Sequence, residues 1–218
     1  MPQQVILPIK GMEIYAYADL AAGEEAKRKL GTARQAIVVG ARDQWERWFI
    51  IHDWAGRISA PEFRDMIIDT YKKFHPYRFG LEANGMQVLF GALVREKAEK
   101  EIDGDVTFIP IYQPKNVKKP YRIRTGLQPI IADRRLFILD KTGELAQEIR
   151  GFPTNATMDL VDALETLIRM APKNPDGEHP VDAEVKAYAK YLRQSGMPAY
   201  QIQERVAEYE KQLRFQVN

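Results

Sequence analysis

Apolar positions along this chain recur at two different periods, and the period changes where turn-forming residues fall. Ile14 to Leu20, Gln35 to Ala41 and Trp45 to His52 carry β-branched and aromatic residues between polar or glycine-bearing connections, which predicts three successive strands in a meander. Ser59 and Pro61 then open a stretch with Phe63, Ile67, Ile68 and Tyr71 at helical spacing, and His75 and Pro76 close it. Phe79 and Leu81 predict a short buried strand, Ala83 to Lys100 a helix through Val88, Leu89, Ala92 and Leu93, and Val106 to Ile111 a further strand. A late helix opens at Asp159, with Leu160, Val161, Leu164, Leu167 and Ile168 as its apolar stripe. Strands that lead and then alternate with helices imply an α/β chain with a mixed sheet flanked by helices on both faces.

The pattern changes after Pro172. Lys173 to Pro180 reads as a linker, rich in turn formers. Beyond it Val181, Val185, Tyr188 and Leu192 have the same offsets as Ile202, Val206, Tyr209 and Leu213, with Gly196 to Pro198 as the break between two amphipathic helices. The expected organisation is one domain over 1–171, followed by a linker and C-terminal helical hairpin over 172–218. That hairpin packs on itself or on the core, or serves as a docking element for another component.

Composition narrows the functional classes. With 218 residues, 45% of them hydrophobic, the chain can bury one substantial core. It has no apolar run near the ~18 residues of a membrane span and no signal-peptide pattern, so a soluble, unsecreted protein without a membrane partner is expected. The absence of cysteine excludes disulfides, thiolate zinc sites and cysteine nucleophiles. Only His52, His75 and His179 are available as imidazoles, which disfavours a zinc hydrolase. A net charge of +2 does not by itself announce a nucleic-acid partner, but Lys115 to Arg135 holds seven lysines or arginines against a single acid, Asp133. Lys115, Lys118, Lys119, Arg122 and Arg124, interleaved with Tyr112 and Tyr121, form either a solvated hairpin or an arm that contacts phosphates without reading sequence.

Four carboxylates occupy positions from which chemistry is possible. Asp19 ends the first predicted strand, Glu82 closes the segment from Tyr77, and Asp159 and Asp162 lie three residues apart at the opening of the late helix. An acid at a strand end projects into a cleft without being swallowed by the core. Each also has a plain structural reading: Asp19 as a turn residue, Glu82 and Asp159 as acids favoured at a helix start. Taken together, carboxylates suit Mg²⁺ or Mn²⁺, hard cations that prefer oxygen donors. Two such ions about 3.5–4 Å apart clamp the attacking and leaving oxygens of a phosphodiester, so no serine, cysteine or histidine nucleophile is required.

Runs of residues in a particular order then carry a family resemblance. They are Tyr17 to Ala21, Ile37 to Gly40, Gly56 to Glu62, Phe79 to Gly85, Arg122 to Pro129, and Gly151 to Pro153 followed by Met158 to Leu164. In this order and spacing, from about Met12 to Ala171, the chain resembles the C-terminal nuclease domain of phage terminase large subunits, the DNA-packaging enzymes that cut concatemeric viral DNA. The resemblance implies a ribonuclease H-like fold and a metal-dependent DNA endonuclease with catalytic residues Asp19, Glu82, Asp159 and Asp162. Of these, Asp19, Glu82 and Asp159 are the implied metal ligands, with Asp162 orienting a ligand or a metal-bound water. Two Mg²⁺ or Mn²⁺ ions are the implied cofactors and Lys115, Lys118, Lys119, Arg122 and Arg124 the implied DNA contacts. Double-stranded DNA, an ATPase motor domain, a portal and a small terminase subunit are the implied partners, in the cytoplasm of an infected host.

The chain departs from the family pattern in two places. Thr157 and Met158 stand where the family often has histidine and a first aspartate, and the loop from Ala21 to Arg34 is longer and more charged than the usual glycine-rich turn. No Gly-x-x-x-x-Gly-Lys-Ser/Thr loop occurs, so the expectation is a nuclease without its own motor, either excised or separately encoded. Two other readings stay open: a Holliday-junction resolvase-like nuclease on the same fold, and a non-catalytic DNA-gripping or docking module.

Overall fold

The computed structural model describes residues 12–20, 34–84, 87–103, 106–114, 116–172, 185–186, 188–190, 192–193 and 197–217. The chain divides into two compact units, Met1–Asp43 with Arg47–Ala171, and Pro172–Asn218 with Gln44–Glu46. In the first unit β1 (Glu13–Asp19), β2 (Gln35–Arg42) and β3 (Trp48–Gly56) pair as antiparallel neighbours. β4 (Arg78–Glu82) lies parallel to β1, β5 (Phe108–Ile111) parallel to β4, and β6 (Leu136–Ile138) parallel to β3. The resulting order, β5-β4-β1-β2-β3-β6 with β2 alone reversed, is the mixed sheet of a ribonuclease H-like fold.

Side-chain alternation sorts the core into two layers. Tyr15, Tyr17, Ala36, Val38, Trp48 and Ile50 face α3 (Lys119–Ala132), α4 (Glu144–Gly151) and α5 (Asp159–Met170), meeting Ile123, Leu127, Leu145, Leu160, Leu164 and Leu167. On the opposite face Ala16, Ala18, Ile37, Val39, Phe79 and Leu81 are covered by α1 (Ala60–Phe74) and α2 (Gln87–Glu101), through Phe63, Ile67, Ile68, Val94 and Ala98. The start of α1 is fixed by a capping box: the Ser59 hydroxyl accepts from the Glu62 amide, and the Glu62 carboxylate accepts from the Ser59 amide at 2.8 Å. His75, in the left-handed region at φ 44°, closes it.

Several boundaries differ from the sequence expectation, each for a local reason. β3 starts at Trp48 and not Trp45, because Asp43 accepts from the Arg47 amide at 2.9 Å and folds the intervening residues into a turn, with Glu46 at φ 56°. α2 starts at Gln87 and not Ala83, since the Ala83 amide still donates to the Ile111 carbonyl at 3.0 Å in the sheet. Val88, Leu89 and Leu93, expected as apolar positions of that helix, are exposed, and Val94 and Ala98 supply its buried side. The basic stretch is neither hairpin nor extended arm but helix α3: Pro120 falls in the first turn, where a missing N–H costs nothing, and Ile123 and Leu127 bury the inner face. Leu136–Ile138 and α4 were not expected at all.

In the second unit, α6 (Ala199–Val217) and helical residues around Tyr188 bring the Tyr188 and Tyr209 rings to 4.4 Å, with Ala189, Leu192 and Ile202 buried. The expected linker 173–180 and Val181 lie outside the described residues. Among the described residues no helix is long and apolar enough to cross a membrane.

Candidate acidic site at the strand ends

β1 and β4 are adjacent and parallel, and their pairing runs from Tyr15 with Arg78 to Ala18 with Leu81. Asp19 and Glu82 are therefore the next residues along two neighbouring strands, at the same end of the sheet. Alternation puts both on the α5 side, the face of Tyr15 and Tyr17 and of Gly80. The Tyr17 hydroxyl feels this arrangement: burial, and then the charges of Asp19 and Glu82, push its ionisation well above the usual tyrosine value. Glu82 accepts from Asn84 at 2.9 Å.

Helix α5 delivers the other two acids. Its C-terminal half presses on the sheet at two glycines, where a Cβ would fall 3.0 Å from Leu167 at Gly40 and 2.5 Å from the Met170 sulfur at Gly80. Arg34, two residues ahead of the Ala36 that pairs with Asp19, reaches Asp159, and Asp162 lies within the field of Asp19, so the helix N-terminus lies toward the Asp19 end of β1. Both aspartates are buried, at 8% and 6% exposure, which only strong pairing makes tolerable. No side chain of α5 itself caps this terminus; Glu148 of α4 does so by accepting from the Val161 amide at 3.0 Å.

Basic groups close the cluster from three directions. Arg34, just ahead of β2, donates to Asp159 Oδ2 at 3.3 Å and to Glu148 at 2.9 Å, and also pairs with Glu144. Lys119 Nζ stands 3.5 Å from Asp159 Oδ1 and 3.1 Å from Asp162 Oδ2. Arg122 bonds Asp162 Oδ1 with one guanidinium nitrogen and Glu165 with another, and Glu165 also accepts from Arg169 at 3.0 Å. Burial raises the Asp162 carboxyl above the usual aspartate value, with Lys119 and Arg122 working against it. Burial likewise opposes the Lys119 ammonium, but Asp162, Asp159 and Asp19 outweigh it and hold that group above the usual lysine value.

By donor chemistry the carboxylates of Asp19, Glu82 and Asp159 suit Mg²⁺ or Mn²⁺, and Asp19 and Glu82 end adjacent strands. Among the described residues no three carboxylates converge closely enough to form ready-made metal ligation, and the ammonium of Lys119 lies between Asp159 and Asp162.

Of the basic residues singled out by the sequence, Lys118 and Arg124 are exposed on α3 and its N-terminal flank, and the rings of Tyr112 and Tyr121 are exposed as well. Arg122 is placed differently from that expectation. It is buried, and its guanidinium is spent on Asp162, Glu165 and Thr166, so it faces the protein interior and not solvent. Lys119 faces the acids, and Lys115 lies outside the described residues. Sequence reasoning missed Arg34, Glu148 and Glu165. For Glu165 a signal existed: Asp159, Asp162, Glu165 and Arg169 form a polar stripe at helical spacing beside the apolar one.

No protein-family model matches the chain, and no curated protein matches it in sequence. Among solved structures, T. thermophilus RuvC in complex with a Holliday junction substrate is similar with a TM-score of 0.40 and 13% identity, covering 71% of this chain and 90% of that one. The yeast mitochondrial Holliday junction resolvase Ydc2 is similar with a TM-score of 0.42 and 12% identity, covering 76% and 81% respectively.

Proposed function

We propose that this chain is a divalent-metal-dependent DNA endonuclease, and that it serves as the nuclease part of a DNA-packaging terminase. One observation carries the nuclease reading: adjacent parallel strands end at Asp19 and Glu82, and α5 brings Asp159 and Asp162 to that same end of the sheet. Asp19, Glu82 and Asp159 would hold Mg²⁺ or Mn²⁺, which supplies an activated water and charge stabilisation for the departing 3′ oxygen. The protein's own groups do the rest. Arg34 orients Asp159 through one carboxylate oxygen, and Asp162 anchors Arg122 on one oxygen and Lys119 on the other. Lys118 and Arg124, both exposed, would hold backbone phosphates, a contact that carries no sequence preference. The packaging role rests on the resemblance described above, and with it the duplex DNA, motor, portal and small-subunit partners.

Incubation of the purified chain with supercoiled plasmid, linear duplex and a four-way junction, each with Mg²⁺, Mn²⁺ or chelator, tests both levels. Nicking and linearisation of plasmid that needs metal, shows little sequence preference and is abolished in a folded Asp19→Asn variant is the expected outcome. Full-rate cutting in chelator, or by Asp19→Asn, overturns the metal-nuclease reading. Selective cutting of the four-way junction overturns the packaging role in favour of junction resolution.

A further inference from the structure

Lys119 is the cation that stands directly between two acids of this site. It sits in the first turn of α3, after Lys118 and next to Pro120, and its ammonium is directed inward to two buried aspartates on α5. A lysine at a helix terminus beside solvent ordinarily keeps its strongly hydrated head in water. Here the side chain is 36% exposed, and part of its hydration is given up for contacts at 3.1 Å to Asp162 and 3.5 Å to Asp159, within the field of Asp19. Carboxylates brought together this closely repel unless a cation stands among them.

We infer that Lys119 is a built-in counter-cation, holding the acid cluster together when no metal is bound and competing directly with a divalent cation for the carboxylate oxygens. This inference rests on the metal-site reading above. Asp159 gives Oδ2 to Arg34 and Oδ1 to Lys119, so a metal drawing on Asp159 meets one of these cations at either oxygen, and at Oδ1, the oxygen turned to Asp162, it meets the ammonium. Either way two positive groups contend for the same negative charge, and metal loading is weaker than the carboxylates alone would make it. Arg122 is not such a competitor: its guanidinium is held on the far side of Asp162 by Glu165 and Thr166. The device keeps the metal-free protein folded while setting a threshold for metal entry.

The test compares the full chain with Lys119→Met and Lys119→Gln by calorimetric Mn²⁺ titration and by melting with and without Mn²⁺. An opposite charge at this range shifts occupancy of a competing cation by about tenfold or more, so both variants should bind Mn²⁺ at least about tenfold more tightly. They should also melt lower than the parent in chelator, and show a larger Mn²⁺-induced rise in Tm. A lysine that merely scaffolds the acids gives the opposite sign: the variants lose Mn²⁺ affinity along with stability, and the competition is refuted. Equal Mn²⁺ affinity in parent and variants refutes it as well, while leaving the metal site intact. Absence of Mn²⁺ binding by all three proteins removes the metal-site reading itself, and this inference with it.

Discussion

Arg122 and Arg124 stand two positions apart on one helix, yet burial assigns them opposite tasks. Arg122 is 8% exposed and bridges Asp162 to Glu165. Removing one member of a buried, hydrogen-bonded ion network strands its partners, so Arg122→Ala should lower unfolding stability by about 3–5 kcal/mol in urea titrations. Arg124 is exposed, and Arg124→Ala should leave stability essentially unchanged while weakening DNA binding about equally for unrelated sequences and reducing the salt slope by about one. An Arg124→Ala variant with an unaltered salt slope would return this residue to the solvated surface. Thr157 and Met158 mark another residue-scale choice. In place of a side-chain cap at its own start, α5 takes one from Glu148, and so the position of Asp159 depends on a neighbouring helix.

At the scale of elements, the site is set by how closely α5 approaches the sheet and α3. Three glycines permit that approach: Gly40 and Gly80 under α5, and Gly126 on α3, where a Cβ would lie 2.7 Å from Glu165 Cγ. Inside a helix an alanine is favoured over glycine by about 1 kcal/mol, but overpacking against a side chain that cannot yield costs about 1–3 kcal/mol. Glu165 cannot yield, since it is 2% exposed and held by Arg122 and Arg169. Gly126→Ala should therefore lower Tm by a few degrees and, by prising α3 from α5, loosen the Arg122 and Lys119 contacts to Asp162. Thermal melting of Gly126→Ala beside an exposed control, Thr125→Ala, reads this; a stabilised Gly126→Ala would show that helix propensity outweighs the contact. The glycines in the Ile37 to Gly40 and Phe79 to Gly85 runs thus have a packing explanation independent of any resemblance.

At the scale of the whole molecule, the sheet with α1 to α5 forms its own compact unit ending at Ala171. Deleting Asn174 to Asn218 should leave that unit folded, with a cooperative melt and undiminished plasmid cutting; a truncated chain that fails to melt cooperatively would show that the tail completes the core. The strands that carry Tyr15 to Ala18 and Ala36 to Val39 were legible in the sequence as short apolar runs between turn formers, because strand propensity is local; which face each residue takes came with the two layers that cover the sheet. So were the cap at Ser59, the strand-end positions of Asp19 and Glu82, and the opening of α5 at Asp159. Helix α3 was not legible, since Pro120, Gly126 and Pro129 read locally as breakers, and only burial of Ile123 and Leu127 against α5 and the sheet makes it a helix. Nor was the inward turn of Lys119 and Arg122. A basic residue in a basic run carries no record of which partner it meets, and Asp159, Asp162 and Glu165 lie about forty residues further along the chain. Sequence by itself determined which residues could form strands, cap and carry charge; tertiary structure decided which charges meet, because that depends on two helices being pressed together over the central strands, which neither specifies alone.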